Sequence, residues 1–218
     1  MSEALDYKYV GSRPIRPDGV DKVTGRANFG ADENLSGMLY GKVVRSEHSH
    51  ARILSIDTSK AEAIPGVLSV ITVKDFPDRS GFNAGLRAFS DNVIALDKVL
   101  YHGQAIAAVA ATSSYLAEQA VKAVKVEYEV LPHVTDVEKA MKEDAPIIRE
   151  GVAKTSVPAG MHPNVVGYHE SGHGDVDKGF EEADLVIEEQ FKTEAAHQGY
   201  IEPHACLANM LEDGKGEV

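Results

Sequence analysis

The 218-residue chain is expected to fold as α+β: a first domain of short mixed strands and helices containing a strand–helix–strand crossover, then an incomplete second α+β domain. Three observations predict this. The hydrophobic period switches from 3.6 to 2 at Val124. The run Ala105 to Ala111 is small and apolar on both faces. Capping residues and Pro-Gly breaks punctuate the chain into segments of one to three turns.

Residues 1–19 carry Gly11, Pro14, Pro17 and Gly19 and read as an extended arm laid over another surface. Strands are expected over Met38 to Arg45 and Ala51 to Ile56. Asp57 or Thr58 caps a short helix over Ser59 to Ile64, which Pro65-Gly66 ends. Val67 to Val73 is β-branched and short, a buried strand. Asp78 to Asp91 is rich in Gly, Ser and Asn and reads as a loop. Ala105 to Ala111 then forms a central strand covered by helices.

Ser113 or Ser114 starts a helix whose stripe is Leu116, Ala117, Ala120, Val121 and Val124. Val124, Val126, Tyr128 and Val130 then alternate with charged residues in a half-buried strand closed by Pro132. Strand, helix and strand in so short a span predict two parallel neighbouring strands. Thr135 to Glu138 reads as a capping box for a helix to Met141. Ala145 to Pro163 is Pro- and Gly-rich and crosses a surface as a linker. Asp175 caps a helix to Ala183, followed by strands Leu185 to Thr193 and Ala205 to Leu211. Leu211 to Val218 reads as a hairpin turn followed by two residues of a new strand, so the chain is expected to be the front part of something larger, a split subunit or a shortened chain. The layout is an arm at 1–19, a domain at 20–135, a linker at 136–165 and an incomplete domain at 166–218.

With 43% hydrophobic and 26% charged residues the composition is globular. Lys and Arg number 22 against 34 Asp and Glu, a formal charge of −12 without any basic run, which argues against nucleic acid as partner. The single cysteine, Cys206, excludes an internal disulfide and fits a reducing compartment. The N-terminus lacks the basic flank and apolar core of a signal peptide, and Ala105 to Ala111 is too short to span a bilayer, so a cytoplasmic location is expected with no membrane partner.

Ordered phrases through nearly the whole chain carry a family resemblance. They are Gly19-Val20-Asp21-Lys22-Val23-Thr24-Gly25, Val43 to Ile53, Asp57-Thr58-Ser59 leading to Ile64-Pro65-Gly66-Val67, and Tyr101 to Val109. Val126 to Pro132, Gly174-Asp175-Val176-Asp177 and Gln198-Gly199-Tyr200-Ile201-Glu202-Pro203 follow. Together they resemble the molybdopterin-binding large subunit of the xanthine dehydrogenase / aldehyde oxidase family, near bacterial carbon monoxide dehydrogenase and 4-hydroxybenzoyl-CoA reductase. The resemblance implies an a/b hammerhead domain and the start of the first molybdopterin-binding domain. It implies chemistry at a molybdenum on a pyranopterin dithiolene, held by a glycine-rich loop and an Arg-Gly-Phe segment. A glutamate in a glycine-rich context acts as base on the metal-bound hydroxide, and hydride passes to a sulfido ligand. Those motifs do not occur in residues 1–218, so no catalytic residue or metal ligand is assigned and the chain alone is expected to be inactive. The molybdenum–molybdopterin would be bound mainly by the remaining molybdopterin-binding polypeptide. 2Fe-2S and FAD centres are expected on an iron–sulfur subunit and an FAD subunit, around a small-molecule substrate.

Gln198 and Glu202 are the candidates nearest to chemistry. By resemblance they could order the wall of a substrate channel; alternatively Pro203 marks a strand joint in which Glu202 satisfies a backbone group or an arginine. His162, His169, His173, His197 and His204, with Cys206, match no compact zinc spacing and read as loop and interface residues. In Arg45 to Arg52, His48 and Arg52 could meet a partner domain or phosphate, or the polar groups could simply cap one another. The family usually has Pro where Glu47 stands, a departure that loosens this turn. Gly103 reads as a backbone-conformation residue and Gln104 as a backbone satisfier. Gly172 to Asp175 suggests an anion-binding helix start, but Asp175 and Asp177 would repel phosphate. Cys206 reads as a buried small hydrophobe. The rival to the oxidoreductase reading is a non-catalytic hammerhead module for binding or assembly, without redox activity.

Overall fold

In the structure, a computed structural model, residues 7–77, 81–82, 84–151, 154–211 and 214–218 are described. In chain order the elements are α1 (Gly19–Thr24), β1 (Tyr40–Arg45), β2 (Ala51–Asp57), α2 (Ser59–Glu62), β3 (Val67–Thr72), α3 (Ala84–Val93) and β4 (Lys98–Val99). β5 (Ala105–Ala111), α4 (Ser114–Ala123), β6 (Lys125–Val130), α5 (Val137–Ala140), α6 (Val176–Glu181), β7 (Asn209–Met210) and β8 (Gly216–Glu217) complete them. The α+β expectation holds. Contacts group Gly37–Ile187 into one unit and residues 7–36 with Glu188–Val218 into another.

Within Gly37–Ile187 lie two three-stranded sheets, ordered β1-β5-β3 and β4-β2-β6, and every strand pair in them is antiparallel. The crossover expectation therefore needs correction: β5 and β6 flank α4 in sequence but belong to different sheets. Both edges of β5 are already occupied, Val43 facing Ala108 on one side and Ile71 facing Ala108 on the other. No ladder remains for β6, which pairs with β2 instead, Ile53 opposite Tyr128.

Local chemistry explains the elements. The Ser113 side chain accepts from the Leu116 N–H at 3.2 Å and starts α4. The buried face of α4 is Ala117 and Ala120, small enough for the helix to lie close on Val109. The N-cap position of α2 is Thr58, which makes no side-chain cap bond, and the preceding Asp57 carboxylate accepts from the Ser59 N–H at 3.0 Å instead. Gly66 must be glycine: its φ is +94°, and a Cβ would sit 2.7 Å from Leu116 Cδ1 and 2.8 Å from Thr112 Oγ1. A second cluster gathers Ala51, Ala95, Val99 and Ile106 between the sheets, with Ile53, Ile56, Val126 and Tyr128 against it.

Several expectations fail for physical reasons. β5 is central but only one face carries a helix; on the other, Ala108 and Ala110 are half-buried beside the exposed Val43 and Ile71. β3 is likewise only partly buried, because the register shift after Val67 leaves Leu68 in solvent. The expected loop Asp78 to Asp91 holds α3 in its second half (residues 78–80 and 83 lie outside the described ones), since Ser90 and Ile94 find buried sites despite the poor helix propensity of Gly85 and Asn92. The cap of α5 is Asp136, one residue after the expected Thr135, its carboxylate accepting from the Lys139 N–H. Just past the Ala145 to Pro163 stretch, Asn164 donates to the carbonyls of Ala140 and Pro146 and accepts from the Ile148 N–H.

In the other unit, α1 ends at Gly25, φ +73°, and Asp18 pairs with Arg16 and Lys22. The expected strand Leu185 to Thr193, which straddles the boundary between the two units, is not formed, and Ala205 to Leu211 contributes only β7, which pairs with β8. A strand needs a neighbour for its N–H and C=O groups, and among the described residues no strand pairs with 185–193. Every residue from Val166 to Cys206 is exposed.

Candidate functional site

The loop joining β1 to β2 carries chain from one sheet to the other, and so does the segment joining β4 to β5. The two crossings are stitched together. The Ser46 N–H donates to the Gln104 carbonyl and the Gly103 N–H to the Ser46 carbonyl, both at 2.9 Å, and Arg45 Nη1 donates to the Gly103 carbonyl at 2.9 Å. Gly103 has φ +84°, and Gln104, 1% exposed, accepts from the Leu100 N–H and donates to the Asp91 carbonyl. Both readings from the sequence, a conformation residue and a backbone satisfier, hold.

Within the loop the Ser46 hydroxyl donates to the His48 carbonyl and accepts from the His48 N–H. His48 packs edge-on against Tyr128, ring centroids 4.9 Å apart. Burial pushes the Tyr128 phenol above its ordinary value, a hydrogen bond with Ser46 pulls it back, and the charge of Glu47 adds to the rise. Arg52 is paired with Glu129 across β2 and β6 at 2.9 Å. The capping account of this loop thus covers Ser46 and His48.

His50 does something different. Its Nδ1 lies 2.6 Å from the Pro132 carbonyl, and its Nε2 is buried without a hydrogen-bond partner among the described residues. His50 is one of the residues lining a cleft of about 530 Å³, with Lys98, Pro132 and Arg149 among the others. Asp91 lines the same cleft; its Oδ2 accepts from Arg149 Nη2 at 2.7 Å, while its Oδ1 is buried without a hydrogen-bond partner among the described residues. Sequence reasoning missed Asp91 and Arg149: one stood in an expected loop, the other in an expected linker, 58 residues apart.

Gln198 and Glu202 are both exposed, on a segment shaped by Gly199 at φ +72° and by Tyr200 between two histidines. The Tyr200 ring centroid lies 4.8 Å from that of His197 and 4.7 Å from that of His204. His162 is a structural residue: its Nδ1 accepts from the Asn164 N–H, so Nε2 donates to the Ala145 carbonyl. His169 and His173 are exposed. Among the described residues no three His, Cys, Asp or Glu side chains are grouped to hold a metal ion. Asp175 spends its carboxylate on the Lys178 N–H, capping α6. Cys206 is exposed, correcting the expectation of burial, because the strand that would have enclosed it does not form around it.

Residues 24–132 match the family described as aldehyde oxidase and xanthine dehydrogenase, a/b hammerhead domain, and residues 158–218 match the molybdopterin cofactor-binding domain. The chain is 37% identical over 214 residues to the carbon monoxide dehydrogenase large chain of Afipia carboxidovorans, spanning 96% of this chain and 26% of that protein. It is 36% identical over 209 residues to the nicotinate dehydrogenase large molybdopterin subunit of Eubacterium barkeri, spanning 96% of this chain and 46% of that one. Among solved structures, carbon monoxide dehydrogenase from Oligotropha carboxidovorans aligns over 64% of this chain and 18% of its own at a TM-score of 0.55 and 40% identity. The chain thus spans between about a quarter and a half of the length of these curated relatives. On its hammerhead domain and the molybdopterin-binding residues after it, the chain belongs to the aldehyde oxidase and xanthine dehydrogenase family.

Proposed function

We propose that this chain is the N-terminal part of a molybdenum hydroxylase large subunit, within an oxidoreductase acting on a small aromatic, heteroaromatic or aldehyde substrate. The observation that carries the reading is the succession, in one chain, of residues matching the hammerhead domain and residues matching the molybdopterin-binding domain. The layout we propose is an arm at 1–19, the hammerhead domain at 20–135, a connecting stretch at 136–165 and the start of the molybdopterin-binding domain at 166–218.

The residues present do not by themselves form a cradle for molybdopterin. Gln198, Glu202, His197 and His204 offer donors and acceptors, but all are exposed and none is enclosed. The cofactor is therefore assigned to the remaining molybdopterin-binding polypeptide, with Gln198 and Glu202 contributing channel wall once that polypeptide covers them. Electrons leave through 2Fe-2S and FAD centres on an iron–sulfur and an FAD subunit. A free-standing binding module is the weaker reading, because it leaves Phe191, 89% exposed, and its apolar neighbours in water.

The test is expression of the chain alone and together with the remaining polypeptide, followed by molybdenum analysis and native mass. Metal and turnover are expected only in the assembly. Molybdenum held by the isolated monomer would overturn the division of labour.

A further inference from the structure

We infer that residues 140–164 form a strap closed by a proton-sensitive knot, which His162 holds only while its ring is neutral. Asn164 ties the two ends of the strap together. It donates to the Ala140 and Pro146 carbonyls at 3.0 Å each and accepts from the Ile148 N–H at 3.1 Å. His162, half-buried beside it, sets the place of Asn164 through both ring nitrogens. Its Nε2 lies 3.1 Å from the Ala145 carbonyl, which only accepts, so the ring proton sits on Nε2. Its Nδ1 is then the lone-pair acceptor for the Asn164 N–H at 3.2 Å. One neutral tautomer meets both contacts.

A second proton enters at Nδ1 and sets N–H against N–H. The Asn164 backbone then has to move away, and the side chain that binds the opposite end of the strap moves with it. The knot is closed at higher pH and opens as pH falls. Two charged groups line the cavities beside these side chains. Glu143 shares a cavity with His162 and favours the imidazolium. Arg149 lines the cavity beside Asn164 and opposes it, its charge offset by Asp91. The Arg149–Asp91 pair takes no part in the knot and stays closed, so the opening is local. The strap lies across the junction between the matched stretches 24–132 and 158–218, and its opening frees chain at that junction.

The full chain, labelled with ¹⁵N, is followed by NMR from roughly pH 8 to pH 5, the range in which histidines titrate. At the upper end the His162 ring should carry its proton on Nε2, and an Nδ1–H tautomer overturns the inference. Protection of the Ile148 N–H against exchange, corrected for the intrinsic rate, should fall about tenfold per pH unit below the His162 midpoint, the mark of one linked proton. The Ala117 N–H, bonded to the Ser113 carbonyl in α4, should keep its protection throughout, which separates a local opening from unfolding. Glu143→Gln should move the His162 midpoint and the Ile148 decline to lower pH together. His162→Gln offers the Ala145 carbonyl a donor that takes up no proton, and should leave Ile148 protection flat with pH. Should that variant lose the strap at every pH, the titration of the unsubstituted chain decides. Ile148 protection that stays constant while His162 titrates overturns the inference.

Discussion

Ile106 and Ile201 are the same residue type, yet one is 0% exposed and the other 98%. Ile106 sits on β5, where β1 and β3 flank it and Ala51, Ala95 and Val99 close over it. Ile201 follows a stretch whose apolar residues Leu185, Ile187 and Phe191 are all largely exposed. The difference teaches that apolar pattern specifies which face wants burial, while burial itself needs a second layer. The two three-stranded sheets supply both layers around Ile106, whereas every residue from Val166 to Cys206 is exposed.

The sharpest way to break this comparison is a matched pair of substitutions. Ile106→Ala should cost about 3 kcal/mol in urea denaturation, whereas Ile201→Ala should fall within about 0.5 kcal/mol in the isolated chain. A large loss at Ile201 would mean that the exposed stretch is packed in solution. Next in size is Gly66→Ala, expected to cost about 2–3 kcal/mol through positive-φ strain and collision with Leu116 and Thr112. Gln104→Met should cost about 2 kcal/mol, because the Leu100 N–H and the Asp91 carbonyl lose their partner in a buried site. Calorimetry on both variants would show whether the loss falls on the cooperative unit alone.

The smallest effects are in pH. Burial holds the Tyr128 phenol protonated above the ordinary tyrosine value, so its contribution is complete below about pH 10 and is lost as pH rises through the folded value. Tyr128→Phe should flatten that alkaline decline. Asp57 has the opposite sign: the Ser59 hydroxyl and N–H hold its carboxyl below the ordinary value, so its contribution is present above the usual carboxylate range and fades as pH falls. Urea midpoints measured across both ranges would show the two slopes.

What was legible in the sequence was local. The α4 stripe, the Ser113 cap, the period switch into β6 and the Asp175 cap of α6 all rest on residues within a few positions of one another. Gln104 was legible too, as a polar side chain between a turn and an apolar strand. The cleft was not: His50 meets Pro132 across 82 positions and Asp91 meets Arg149 across 58. Nor was the sheet partition, because the choice of β2 over β5 as partner for β6 depends on which edges are already taken. Gln198 and Glu202 were chosen by resemblance, and in the structure they share an exposed segment without an enclosing wall.

The seam at Ser46 and Gly103 bears on how this unit moves. Each of these residues gives one hydrogen bond to the opposite crossing, so neither connection can swing open while the other stays shut. Two thin sheets of three strands each, which separately would be marginal, are thereby tied to one another at both chain crossings as well as through the side chains packed between them.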